Sequence, residues 1–213
     1  MYYDLFKDRE EAGLLLADKL IEYENTDSII LAIPRGGVPV GYAISQKLNL
    51  PLDIFLSKKI PHPFNKELAI GAVTLDSEIV DFYPNVSKNY INSEITRIRE
   101  VLKKKYYLFV GNRKPRSLKG KNIILVDDGI ATGNTLLVTI ASLRKLKPAK
   151  IIVAVPVLPY DVLKQFQQSA DEFIYIEASN YFRGVGAFYE HFEQVADEVV
   201  IDMLHAETPI SGY

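Results

Sequence analysis

IILVDDGIATGNTL, residues 123–136, sets four apolar side chains, two adjacent carboxylates, a run of small residues and a helix start in a fixed order. Four buried apolar residues followed by a turn and a helix read as one strand of an open parallel sheet. In such sheets ligands sit beyond the carboxyl ends of the strands. The turn Ala131, Thr132, Gly133, Asn134 and Thr135 presents backbone N–H groups at a helix N-terminus. Its small side chains let a phosphate come close, its hydroxyls add donors, and the helix dipole favours negative charge. Asp127 and Asp128, just before this cradle, would repel a polyphosphate unless they face sugar hydroxyls, a Mg²⁺ ion or a carbon that becomes cationic. Together these features suggest a site for a ribose 5-phosphate. A bare Asp-Asp turn would do no more than cap a helix. The stretch contains neither GxxxxGK[ST] nor GxGxxG, so it is not a nucleotide-triphosphate or dinucleotide loop.

Working outward, strand and helix signals alternate, which predicts an α/β fold with a mainly parallel central sheet flanked by helices. Asp8 and Glu11 resemble a capping box, and Leu14, Leu15, Ala17, Leu20 and Ile21 extend a helix over about 8–23. Strands are expected at 28–33, 52–57, 123–126, 151–155 and 173–176, and a short strand pair at 69–75 and 78–82. Helices are expected at 38–48, 87–110, 134–146 and 160–169. Lys58–Leu68 reads as irregular, 111–120 as a polar loop, and periodicity fades after Ser179. The organisation is a single domain over 1–213, with a core of about 26–178. A small hood is expected from about 179–213, with a contribution from the N-terminal segment.

Composition limits the chemistry. The 213 residues contain 25 Lys plus Arg, 27 Asp plus Glu and no cysteine. Thiol nucleophiles, disulfides and Cys-ligated metals are therefore excluded. Three histidines without clustered spacing and the absence of GxSxG argue against a protein-bound transition metal and a Ser-His-Asp site. The first ten residues are charged and aromatic, unlike a secretory signal, and no apolar run reaches the roughly 18 residues a bilayer requires. The expectation is a cytoplasmic protein without membrane contact. Ten basic residues and one acidic residue fall between Arg97 and Lys121. Such a run can grip nucleic acid, but is more often a solvated helix face and loop, and no nucleic-acid partner is expected.

IILVDDGIATGNTL resembles the phosphoribosyl pyrophosphate (PRPP) motif of type I phosphoribosyltransferases, with Gly129 where that motif carries a branched apolar residue. AIPRGGVPVG (32–41), KKIPHPFNKELAIGAV (58–73) and GVGAFYEHF (184–192) extend the resemblance over about 28–195. They are most similar to a bacterial and archaeal branch of predicted members whose acceptor is undefined. The resemblance implies transfer of the 5-phosphoribosyl group from PRPP to a nucleobase-like acceptor, with release of pyrophosphate, as in nucleotide salvage. Asp127, Asp128 and Lys59 would be catalytic, and Ala131–Thr135 would bind the 5-phosphate. Arg35, Gly36, Gly37 and Lys58 would bind pyrophosphate, with a cis peptide at Pro34–Arg35. Lys58 and Lys59 would close the second core strand, and Ile60–Leu68 would be a flexible closing loop, with Glu67 near Mg²⁺ or substrate. Tyr181 would stack on the acceptor and Val185 would offer it backbone groups. Phe188 stands where hypoxanthine-type members carry Asp, which removes the acceptor group expected for that purine. Mg²⁺ would arrive with PRPP, possible contacts being Asp127 and Asp128, and a homodimer is expected because related proteins pair. Two alternatives remain: a PRPP-sensing regulator acting on nucleic acid or a protein, and a sugar-phosphate hydrolase.

Overall fold

The computed structural model describes residues 5–81, 83 and 85–206, apart from the side chains of Glu67, Asn134 and Thr135. Five parallel strands form the central sheet: β1 (Ser28–Ala32), β2 (Leu52–Ile54), β6 (Asn122–Val126), β7 (Lys150–Pro159) and β8 (Glu172–Ser179). Their order is β2-β1-β6-β7-β8. Every residue of β1 is buried, as is nearly every residue of β6 and β7, as befits parallel strands covered on both faces.

Alternation along these strands builds two cores. Ile30, Ala32, Ile124 and Val126 pack under α1 (Arg9–Lys19), α2 (Gly37–Leu48), α3 (Lys88–Val110) and α6 (Asp197–His205). Ile29, Leu31, Ile123 and Leu125 face α4 (Asn134–Lys145) and α5 (Leu163–Ser169). Asp8 caps α1 by accepting the Glu11 N–H at 2.9 Å, and Ser87 caps α3 by accepting that of Tyr90.

Several boundaries differ from the sequence reading. The first helix stops at Lys19 and a 3₁₀ turn, Ile21–Tyr23, follows. It buries Ala12, Gly13, Leu16 and Ala17, leaving Leu14 and Leu15 exposed, because small residues allow close approach to α2. A Cβ at Gly13 would lie 2.6 Å from the Val40 carbonyl oxygen. Where periodicity faded, α6 carries Val200 and Leu204 into the core.

The largest difference concerns 57–80. The second core strand ends at Ile54, and Lys58 and Lys59 lie on β3 (Ser57–His62), paired antiparallel with β4 (Asn65–Thr74). With β5 (Glu78–Val80) these make a separate three-stranded sheet. The stretch read as a loop is thus mostly a hairpin. Pro61 and Pro63 hid it, since prolines break strand signals, and Pro61 sits at an irregularity in the pairing. Buried Ile60 and Ile70 fasten the hairpin to the core, and the Tyr90 hydroxyl donates to the Pro61 carbonyl at 2.9 Å.

Among the described residues no helix is long and apolar enough to cross a membrane.

Candidate active site at the β1/β6 crevice

The sheet order places β1 and β6 side by side, with their following helices on opposite faces, so the chain diverges at their carboxyl ends. Such a divergence leaves a crevice. The Ile33 N–H donates to the Val126 carbonyl at 2.9 Å, holding the two strand ends together just before Pro34–Gly37 and Asp127–Asp128 depart.

The Pro34–Arg35 peptide is cis, as the family resemblance led us to expect. Gly36 and Gly37 serve a local steric purpose. A Cβ on Gly36 would fall 2.0 Å from Asp128 Oδ2, and one on Gly37 would fall 2.7 Å from the Val126 carbonyl oxygen. The turn therefore lies directly on the carboxylate pair. Arg35 extends to Asp197 at the start of α6, with Nη1 3.3 Å from Oδ1.

Asp127 and Asp128 are both partly buried. Asp127 Oδ1 accepts the Asp128 N–H at 2.9 Å, which fixes its orientation. Burial pushes the Asp127 carboxyl well above the ordinary carboxylate range, and the neighbouring Asp128 charge pushes it further. Burial also raises Asp128, against the opposing pull of the Arg9 guanidinium.

Arg9 is a site residue the sequence did not reveal. Its Nε donates to Asp128 Oδ2 at 2.9 Å, and Nη1 donates to the Glu193 carbonyl at 3.0 Å. Its guanidinium lies 3.8 Å from the centre of the Phe192 ring. The Tyr189 hydroxyl donates to the Asp128 carbonyl at 2.7 Å. Residues 188–191 in turn pair with 5–7: the Leu5 and Phe6 N–H groups donate to the Phe188 carbonyl, and the Glu190 N–H donates to that of Phe6. No local pattern announces these contacts, because each joins parts of the chain far apart in sequence.

The Ala131–Gly133 turn leads into α4, with Gly133 at φ 74°, a region that favours glycine. A Cβ there would also strike Phe166 at 2.5 Å. The backbone of Asn134 and Thr135 opens the helix, and their side chains lie outside the described set. Gly129, the departure from the usual motif, leaves room for Val185, whose Cγ1 would lie 2.6 Å from an added Cβ. Beside the turn is an open cleft of about 620 Å³ bounded by Ala131, Thr132, Tyr160, Ser179, Asn180 and Phe182.

Residues 9–186 match the phosphoribosyl transferase domain family. The chain belongs to that family. The phosphoribosyl transferase domain is 33% identical over 205 residues to a Mycobacterium tuberculosis protein, from strains H37Rv and CDC 1551, named provisionally as a phosphoribosyl transferase. That match covers 94% of this chain and 46% of the relative, so the chain spans about half the length of the curated relatives it matches. The crystal structure of TT1426 from Thermus thermophilus superposes with a TM-score of 0.83 at 32% identity, covering 93% of this chain and 97% of that one.

Within the transferase domain the residues expected to meet the acceptor divide. Tyr181 is 91% exposed and lies outside the cleft lining, whereas its neighbour Phe182 bounds the cleft and stacks on Phe188 at 5.6 Å. Val185 packs on Gly129 and joins the cluster of Phe6, Tyr189 and Phe192. The aromatic tail therefore builds a wall, with Phe182 as its cleft-facing ring.

The lysine pair of the transferase domain also divides. Successive side chains on a strand point to opposite faces. Ser57 contacts Thr139 of α4 through their hydroxyls at 3.0 Å, so Lys59 shares the face turned towards α4. Lys58 shares the face of buried Ile60, on the side of α3, where the Arg97 hydrogen bond holds the Glu94 carboxyl below its usual range and the Lys58 charge adds to that pull. Both border a small cavity of about 200 Å³ with Ala72 and Val138. Lys59→Met should lower kcat/KM for PRPP by about tenfold or more, as expected for a lost charge-assisted contact, and Lys58→Met by much less. Equal losses in steady-state assays would refute the division.

The family implies Mg²⁺. Among the described residues no group of three or more His, Asp or Glu side chains could hold a metal by itself. Two carboxylates one short turn before a helix N-terminus fit Mg²⁺ that would bring its remaining oxygen ligands from substrate and water.

Proposed function

We propose that the domain transfers the 5-phosphoribosyl group from PRPP to a nucleobase-like heterocycle and releases pyrophosphate. The observation carrying this reading is the meeting of the Gly36–Gly37 turn with the Asp127–Asp128 pair at the β1/β6 crevice, one short turn before the α4 N-terminus.

The Ala131–Thr135 turn and the α4 N-terminus hold the 5-phosphate, with Thr132 adding a hydroxyl donor. Asp127 and Asp128 accept from the ribose hydroxyls and face the ring as it becomes cationic. Arg9 and Tyr189 hold Asp128 in position. Arg35, the Gly36 and Gly37 backbone and Lys59 balance the charge gathering on pyrophosphate, and Lys58 adds to the field from the other face of β3. As the bond from the anomeric carbon to pyrophosphate breaks, a ring nitrogen of the acceptor bonds to that carbon and then sheds its proton. No covalent intermediate with the protein is needed, because stabilisation is positional and electrostatic. Asp127 and Asp128 would hold the Mg²⁺ that accompanies PRPP, which would supply positive charge against the departing pyrophosphate. The acceptor occupies the cleft beside Thr132, with Phe182 as its aromatic wall in place of the outward-turned Tyr181, and Val185 supports that wall from behind.

The deciding experiment follows pyrophosphate release from PRPP and Mg²⁺ across a panel of nucleobases. At least one base should give release together with a stoichiometric nucleoside monophosphate. Ribose 5-phosphate formed without any acceptor would identify a hydrolase instead. PRPP binding without turnover of any base would favour a sensor. Separately, Thr132→Ala should weaken PRPP binding by about 5- to 150-fold, the worth of one hydrogen bond to a charged oxygen. An unchanged Kd in calorimetry would remove Thr132 from the cradle.

A further inference from the structure

Of the ten basic residues between Arg97 and Lys121, Lys104 and Lys105 are exposed on α3 and the other eight fall into two groups. Arg97 pairs with Glu94, Arg99 with Glu78, Lys103 with Glu100, Arg113 with Asp53 and Lys121 with Asp27. Lys114, Arg116 and Lys119 pair with no acid among the described residues, and all three line one cavity of about 450 Å³. That is a volume suited to a small ligand, since ligand pockets run from about 300 to 1,000 Å³.

The cavity lies along the outer edge of β2, away from the β1/β6 crevice, where residues 114–119 cross in front of the strand. Its floor is apolar: Leu31, Phe55, Leu118 and Leu146. Its wall includes Asp53, whose side chain is 3% exposed. That carboxylate is already occupied by the Tyr106 hydroxyl at 3.2 Å and the Ile54 and Arg116 backbone N–H groups, with Arg113 Nη2 3.6 Å away. Asp53 is therefore spent, and Asp76, the other acid of the lining, forms no ion pair among the described residues, which leaves Lys114, Arg116 and Lys119 without a paired counterion. Among the described residues two buried side-chain atoms, Arg99 Nε and Arg116 Nε, have no hydrogen-bond partner; Arg99 still pairs with Glu78 through Nη2, whereas Arg116 pairs with no acid. A buried charged donor left unpaired is costly, and native proteins rarely retain one without a use.

An apolar floor under uncompensated cations matches one chemistry. We infer that this cavity is a second ligand site, for a small anion with an apolar body, its phosphate or carboxylate meeting Arg116 and Lys119 and its body resting on Phe55 and Leu118. The inference does not depend on the reaction proposed above. Thr74, on the cavity wall, pairs across the hairpin with Ser57, two residues from Lys59. A ligand here thus touches the same hairpin that carries the lysine pair.

The test uses 8-anilinonaphthalene-1-sulfonate, an apolar fluorescent anion, titrated into the full chain. One saturable site is expected, unaffected by saturating PRPP and Mg²⁺ and unchanged in Thr132→Ala. Arg116→Met should weaken it by about tenfold or more, the scale of one charge-assisted hydrogen bond, and exposed Lys119→Met severalfold. Amides of 53–56 and 114–119 should gain protection from hydrogen exchange on binding. Displacement by adenosine monophosphate assigns the phosphate-bearing source, and displacement by octanoate the carboxylate; either supports the site. Absence of saturable binding, displacement of the dye by PRPP, or dye affinity within twofold of the parent in both folded variants would overturn it. Lys119→Met alone decides the matter if Arg116→Met does not fold.

Discussion

Exchanging both carboxylates, Asp127→Asn with Asp128→Asn, should lower pyrophosphate release by about 10³-fold or more while the chain still folds. Each loses a charge placed against a ring that turns cationic, and removing a single preorganised electrostatic contact commonly costs 10² to 10³ in rate, so about 10³ is the modest expectation for two. The single variant Asp127→Asn carries a second, opposite expectation: it should be more heat-stable than the parent at neutral pH. The Asp127 pKa is raised in the folded state by burial and by Asp128. A raised carboxyl contributes stability that is fully present below its unfolded value and lost as pH rises through its folded value. Asparagine has no such loss and still accepts the Asp128 N–H. Its advantage should therefore be visible at pH 7.5 and vanish near pH 4. In a chain of this size each kcal/mol moves Tm by about 2–4 °C, well within a melting measurement. Asp128→Asn should not share the gain, since it strips Arg9 of its carboxylate. Preserved turnover in the double variant, or a Tm gain for Asp127→Asn that is equal at both pH values, contradicts the roles assigned here.

Gly133→Val should be the most damaging single change in the phosphate turn. A β-branched residue at φ 74° costs about 1–2 kcal/mol in backbone energy alone. Its Cβ would press on the Phe166 ring, and overpacking adds about 1–3 kcal/mol. Phe166 is fully buried and stacks on Phe173 at 5.4 Å, so it cannot swing aside cheaply. A loss of about 2–5 kcal/mol in urea unfolding is expected, with PRPP binding no longer detectable by calorimetry. A variant that binds PRPP normally would show that the turn does not shape the 5-phosphate site.

What could be read from the residues, and what could not, follows from the range of the interactions. The strands β1, β6 and β7 are unbroken apolar runs whose meaning does not depend on their neighbours, and the phosphate turn is a local device, so both stood out. The hairpin of β3 and β4 was obscured by its own prolines. Its strand character comes from the pairing of Ser57 with Thr74 and of Lys59 with Ala72, which no short window contains. Arg9 was hidden for the same reason. At the first position of a capped helix it looks like a solvated surface charge, and only the fold brings Asp128 and Phe192 to it. Tyr181 is the converse case. Its expected role rests on the family resemblance, and a resemblance in spacing does not say which of two adjacent rings the chain turns outward.

The Arg9 contacts also bear on how the site comes into being during synthesis. Arg9 is made before its partners, since Asp128 and Glu193 follow it by 119 and 184 residues. The sheet can assemble strand by strand as β1, β2, β6 and β7 appear, but until the 188–193 segment emerges Phe6 and Tyr189 cannot join, and the guanidinium has only part of its seat. The crevice thus acquires its charge balance only after the strands that frame it have been made, and a nascent chain carries β1, β2, β6 and β7 before it carries a finished carboxylate pair.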